Sequence, residues 1–181
     1  MATRVILTGP KSSGKSNIGA RLAELMGVSF YDLDELIEDL FEEESGTRLS
    51  FREIFRRHGE DKFRDLEYKA AKKIVSKGKL LLSTGGTTFT IPKLRDTLIE
   101  DSYIVLLKNR PEELWLRTSR KGIPSYLEKE IDPRSAFFKR VENVIETVMP
   151  IAQLSMDTED LTIEDVAQVL DVELSQRSVL G

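Results

Sequence analysis

Gly9-Pro10-Lys11-Ser12-Ser13-Gly14-Lys15-Ser16 decides how the rest of this chain is read. These eight residues fit G-x-x-x-x-G-K-[ST]. They stand between a short β-branched run, Val5-Ile6-Leu7-Thr8, and helical spacing from Ser16 to Met26. The glycines let the backbone curl until successive N–H groups point inward, and the helix that follows turns its positive end to the same point. Lys15 is placed to reach the β and γ phosphates, and the Ser16 hydroxyl to ligate Mg²⁺. A bare Gly-rich turn shares the composition of this loop but not its setting between a strand and a helix. The motif therefore predicts a nucleoside-triphosphate site.

Outward from the loop, strands and helices alternate. Short apolar or β-branched runs predict further strands at Val28–Tyr31, Lys79–Thr84, Ser102–Leu107 and Leu154–Thr158. Helical spacing covers Asp32–Glu44, a stretch from the capping-box form Ser50-Phe51-Arg52-Glu53 to a break at Gly59, and Glu60 to Val75 or Ser76. It returns in a segment opened by Pro111, in Ser135–Met149 and in Thr162–Leu174. The polar segment 119–135, with Gly122, Pro124 and Pro133, reads as a mobile excursion, and 175–181 as a frayed tail. Strand–helix alternation implies an α/β fold with a parallel sheet covered on both faces.

Composition narrows the chemistry. The 181 residues suit one domain, 1–174. With no Cys and a single His, His58, there is no thiolate catalysis and no multi-His metal centre. The 27 Lys+Arg against 31 Asp+Glu give a net charge of −4, which speaks against a general nucleic-acid binder. No apolar run nears the roughly 20 residues of a membrane helix, and Met1–Arg4 does not open a signal peptide. A soluble cytoplasmic monomer is the expectation. No N-K-x-D guanine signature is present, and one small domain leaves no room for motor modules, so a small-molecule kinase leads.

Three segments point to an acceptor. Asp32-Leu33-Asp34 follows the second strand, where ligands of a doubly wound sheet collect. The two Asp residues serve a metal and an acceptor hydroxyl, or they merely suit a helix N-terminus. Glu60, Arg64 and Glu67 share one helix face, as a surface ion-pair stripe or as a carboxylate-binding Arg held by flanking acids. Gly85-Gly86 closes the third strand, either to turn the chain or to let backbone approach a ligand.

Together, GPKSSGKS, DLD, GEDKFRDLE and STGGTT, in this order, resemble the shikimate kinase family. The resemblance runs over nearly the whole chain, and GEDKFRDLE is its most specific part. It implies a three-layer α/β/α P-loop kinase fold with a five-stranded parallel sheet and a mobile lid over about 119–135. It implies ATP and Mg²⁺ bound by Gly9, Lys11, Ser12, Ser13, Gly14, Lys15 and Ser16, with Asp32 reaching the metal through water. Asp34 would bind and deprotonate the acceptor hydroxyl beside the catalytic Lys15. Arg64 would bind the acceptor carboxylate, oriented by Glu60 and Glu67, with Gly85 and Gly86 contributing at the substrate. Arg117 matches an Arg beside the adenine. The partners implied are ATP and a small anionic hydroxy acid, shikimate first, with no nucleic acid or membrane.

Three positions depart from the family pattern. The third glycine of G-G-G is Thr87. The lid arginine of R-P-L-L falls on Ile123, near Arg120 and Lys121. The second carboxylate-binding arginine falls on Val144, with Arg140 one helical turn before it, either as a substitute or as an ordinary surface arginine. Removing a charge-assisted hydrogen bond without replacement costs about 1.5–3 kcal/mol, roughly ten- to a hundredfold in binding. These departures keep open a kinase for another sugar acid such as gluconate, or a nucleotide-binding regulatory relative with weak catalysis.

Overall fold

A computed structural model describes residues 3–180; Met1, Ala2 and Gly181, the outer ends of the expected N-terminus and tail, lie outside the described residues. Five strands, β1 (Arg4–Thr8), β2 (Ser29–Asp32), β3 (Leu80–Ser83), β4 (Ser102–Lys108) and β5 (Leu154–Asp157), form one parallel sheet in the order β2-β3-β1-β4-β5. The order reverses direction at β1, which pairs with β3 on one side and β4 on the other. The loop that leaves β1 therefore opens into the crevice where doubly wound sheets bind ligands.

Among the described residues seven α-helices cover the sheet: α1 (Lys15–Met26), α2 (Leu33–Ser45), α3 (Phe51–Val75), α4 (Pro92–Ile99), α5 (Pro111–Ser119), α6 (Pro133–Val148) and α7 (Ile163–Gln176). Strand side chains alternate between two cores, as the pleat demands. Val5, Leu7, Leu81, Val105 and Leu107 face α1 and α7, and Ile6, Leu82, Ile104 and Leu106 face α2, α3, α4 and α6. A third, smaller core of Leu114, Leu127, Phe137 and Val141 joins α5, α6 and the segment between them.

The expected elements are all present, with shifted ends. Asp32 caps α2, accepting from the Asp34 N–H, and Ser50 with Glu53 forms the full capping box of α3. Gly59 breaks α3 at φ 82°, ψ 174°, as the sequence suggests. The last long helix on the acceptor side, α6, begins at Pro133 rather than Ser135 because Asp132 caps it, accepting from the N–H groups of Arg134 and Ser135. Helix α4 has no counterpart in the sequence expectations: it is a short two-turn element led by Pro92 after a 3₁₀ turn at Thr88–Thr90. The tail is also a correction. It does not fray: α7 runs on to Gln176, the Val179 N–H donates to the Leu174 carbonyl, and Val179 and Leu180 are buried in the α1–α7 core. Among the described residues, no helix is long and apolar enough to cross a membrane.

Candidate active site

The phosphate loop takes the shape its glycines permit. Gly9 and Gly14 lie at φ 141° and 91°, and Ser12 joins them in the left-handed region at 66°. A Cβ on Gly9 would stand 2.1 Å from the Leu107 carbonyl oxygen, so β4 passes too close for any other residue. Gly14 then leads into α1. Ser12 Oγ lies 2.8 Å from Thr118 Oγ1, tying the loop to α5.

The Lys15 ammonium is buried and donates to the carbonyls of Gly9 and Pro10 at 3.0 and 2.8 Å and to Ser13 Oγ at 3.3 Å. Burial pushes its pKa down to about 8, opposed by the nearby carboxylate of Asp34. A bound polyphosphate would favour its charged form and raise that value again.

Ser16 and Asp32 are brought together. The Ser16 hydroxyl donates to Asp32 Oδ2 at 2.5 Å, and the Ser83 hydroxyl donates to the same oxygen. Among the described residues no cluster of three or more His, Cys, Asp or Glu could hold a metal. The Ser16–Asp32 pair is nevertheless the hard-oxygen set that suits Mg²⁺, which keeps waters and takes the rest of its ligands from phosphate.

Asp34 lies two residues on, in the first turn of α2, and faces a cavity of about 390 Å³. Burial, then Asp32, then Glu67 push its carboxyl up to about 7, while Lys11 and Lys15 draw it down. A carboxylate titrating near neutrality is what a general base for a hydroxyl requires. Gly85 borders it, since a Cβ there would lie 3.5 Å from Asp34 Oδ1. Gly86 is pressed against the phosphate loop, where a Cβ would meet the Lys11 backbone nitrogen at 2.9 Å.

On the opposite wall Arg64 is held rigidly. Its guanidinium donates to the buried Glu67 at 2.6 Å, to Glu60 at 3.3–3.4 Å, and to Thr87 Oγ1 at 3.3 Å. Arg64 and Glu67 of the stripe thus line the cavity, while Glu60 holds Arg64 from the solvent side. Thr87, at the altered glycine position, supplies a further acceptor to this arginine.

A match to the shikimate kinase family model extends over residues 11–173, nearly the whole chain. The chain belongs to the shikimate kinase family. Shikimate kinase of Marinomonas sp. is 35% identical over 173 residues, covering 94% of this chain and 91% of its own. That of Thermus thermophilus is 34% identical over 170 residues, covering 92% and 87%. Shikimate kinase from Acinetobacter baumannii, solved in complex with shikimate, superposes with a TM-score of 0.78 at 26% identity, covering 100% of this chain and 97% of its own. The protein is accordingly an ATP-dependent kinase acting on a hydroxyl, with the three-layer P-loop kinase fold expected of the family.

The positions at which the chain departs from the family pattern are also placed. Val144 is buried and lines the cavity, contributing only apolar surface. Arg140 also lines it, with its guanidinium 4.5 Å from the Tyr126 ring centroid. Arg117 stands apart from this cavity and pairs with Glu113 at 2.7 Å. Ile123 lines the cavity and is half exposed, whereas Leu127 anchors the same segment in the third core. His58, given no role by the sequence, lies against Phe41 with ring centroids 4.9 Å apart. Sequence reasoning missed the aromatic lining of Phe51, Phe55, Phe63 and Tyr126, and with it Arg52. The capping box at Ser50–Glu53 was the available signal, because it fixes where the first turn of α3 points.

Proposed function

We propose that the protein transfers the γ-phosphate of ATP to the 3-hydroxyl of shikimate, giving shikimate 3-phosphate on the route to aromatic amino acids. The observation that carries this reading is one cavity holding Asp34, the Gly85-Gly86 backbone and Arg64 beside the phosphate loop. Lys15 and the loop amides of residues 9–16 hold the phosphates, and Arg117 lies beside the adenine. Ser16, and Asp32 through water, would hold Mg²⁺, which when bound would supply positive charge to offset that of the phosphates. Asp34 accepts a hydrogen bond from the hydroxyl and takes its proton as the phosphoryl group moves. Arg64, kept in place by Glu60 and Glu67, binds the acceptor carboxylate, and Arg140 adds charge at the rim. Gly85 and Gly86 admit the substrate close to the backbone.

The reading includes a lid formed by the segment around 119–135, a single domain, a monomer in the cytoplasm, and no nucleic-acid or membrane partner. A coupled ADP-release assay with Mg-ATP and shikimate tests it. Turnover well above the no-acceptor background is expected, and turnover at background overturns the assignment. Gluconate and other hydroxy acids run beside shikimate test whether Thr87 and Val144 have redirected the pocket; shikimate is expected to be the best acceptor.

A further inference from the structure

The acceptor cavity draws positive charge from a stretch of α3 that lies outside the family motifs. Arg52, in the first turn of α3, lines it together with Lys11 of the phosphate loop. The two cations share one aromatic shelf: Lys11 Nζ lies 5.7 Å and the Arg52 guanidinium carbon 5.6 Å from the centroid of Phe51. The shelf is fixed, because the Phe51 N–H donates to Glu38 Oε1 at 2.9 Å and Ser50 and Glu53 close the capping box around it. Among the described residues no carboxylate pairs with Arg52, whereas Arg64 is already engaged by two. Unpaired arginines on an open surface are common, but this one lies with Lys11 about the same ring in a concave site, and like charges so gathered favour a bound anion.

Its position along the cavity indicates which anion. Arg52, 5.6 Å from the Phe51 ring, shares the cavity lining with Tyr126 and with Arg140, whose guanidinium lies 4.5 Å from the Tyr126 ring. Lys15, at the nucleotide end, is influenced by Lys11, Asp34 and Asp32 instead. Arg52 therefore lines the same cavity as Asp34, Arg64 and the uncharged Val144.

We propose that Arg52 binds the carboxylate of the acceptor, gripping it from the α3 wall where Val144 offers no charge from the α6 wall. This rests on the shikimate reading above. Guanidinium suits the task because its planar fork matches a carboxylate in two parallel hydrogen bonds, which an ammonium cannot do.

The test is steady-state kinetics on the full chain with Mg-ATP, using shikimate and its methyl ester as acceptors, for the wild type, Arg52→Ala and Arg52→Lys. Arg52→Ala is expected to raise the KM for shikimate about ten- to a hundredfold, the effect of removing one charge-assisted hydrogen-bonded pair. Both kcat and the KM for ATP stay within about threefold, and the unchanged ATP value reports an intact fold. Arg52→Lys recovers part of the affinity. With the ester, which carries no charge there, wild type and Arg52→Ala have the same KM. An unchanged KM for shikimate in Arg52→Ala, an equal penalty with the ester, or a fall in kcat at constant KM overturns the assignment and leaves the kinase reading standing. Absence of shikimate turnover in the wild type overturns that reading, and the role of Arg52 with it.

Discussion

Asp34 and Lys15 occupy the same small volume with opposite perturbations, an acid raised toward 7 and a base lowered toward 8, and each eases the charge of the other. Their removal should therefore separate chemistry from folding. Lys15→Ala takes away the cation proposed to meet the phosphates and Asp34→Asn the proposed proton acceptor, and each is expected to lower kcat/KM by about 10²–10⁴-fold. Circular dichroism should show the fold kept in both, and retained turnover in either would refute its assigned role. Asp34 also predicts a pH dependence of stability. Its carboxyl ionises near 4 in the unfolded chain and near 7 in the fold, so the folded state holds the proton longer. The resulting stabilisation is complete below about pH 4 and is lost as pH rises toward 7. In the nucleotide-free protein, Asp34→Asn should raise the thermal midpoint at pH 7.5 by ~3–8 °C and flatten the decline between pH 4 and 7, measured by calorimetry.

Helix α3 shows how one residue sets the geometry of an element. At Gly59 the backbone takes φ 82° and ψ 174°, a region open essentially to glycine alone. The break lets residues 51–58 and 60–75 run as two pieces, one bringing Phe51 and Arg52 to the cavity and the other Arg64 and Glu67. Gly59→Ala is expected to cost about 1–3 kcal/mol in urea unfolding and to raise the acceptor KM, since the two walls lose their mutual angle. Much of this element was legible: the capping box and the break are local signals written in Ser50, Glu53 and Gly59. What was not legible is long-range. The spacing of Glu60, Arg64 and Glu67 suits a solvated stripe equally well, and only the tertiary approach of Thr87 and Thr88 turns it inward. Helix α4 escaped because a two-turn segment carries too little period to stand out; its burial of Leu94 and Leu98 is decided by the sheet it packs on. The altered positions can be found in sequence, but their surroundings cannot, because Arg52 and Tyr126 meet Val144 only across the folded cavity.

Across the whole molecule, the stability of the α1–α7 side depends on the end of the chain. Val179 and Leu180 are nearly enclosed there, and burying two such side chains contributes about 3–6 kcal/mol as an upper range. Truncation after Arg177 should lower the urea midpoint clearly while leaving the KM for ATP and shikimate unchanged below the new transition. An unchanged midpoint would show the tail contributes nothing. The three cores differ in size, and that difference has a kinetic meaning. Leu114, Leu127, Phe137 and Val141 form a cluster apart from both faces of the sheet. A patch so small closes and opens at lower free energy than the layers beside it. Amide hydrogens between α5 and α6 should exchange by this sub-global opening, faster than those of β1 and β4, and nucleotide should slow them. Opening of this one corner would free the neighbouring segment while the sheet that carries the phosphate loop stays folded.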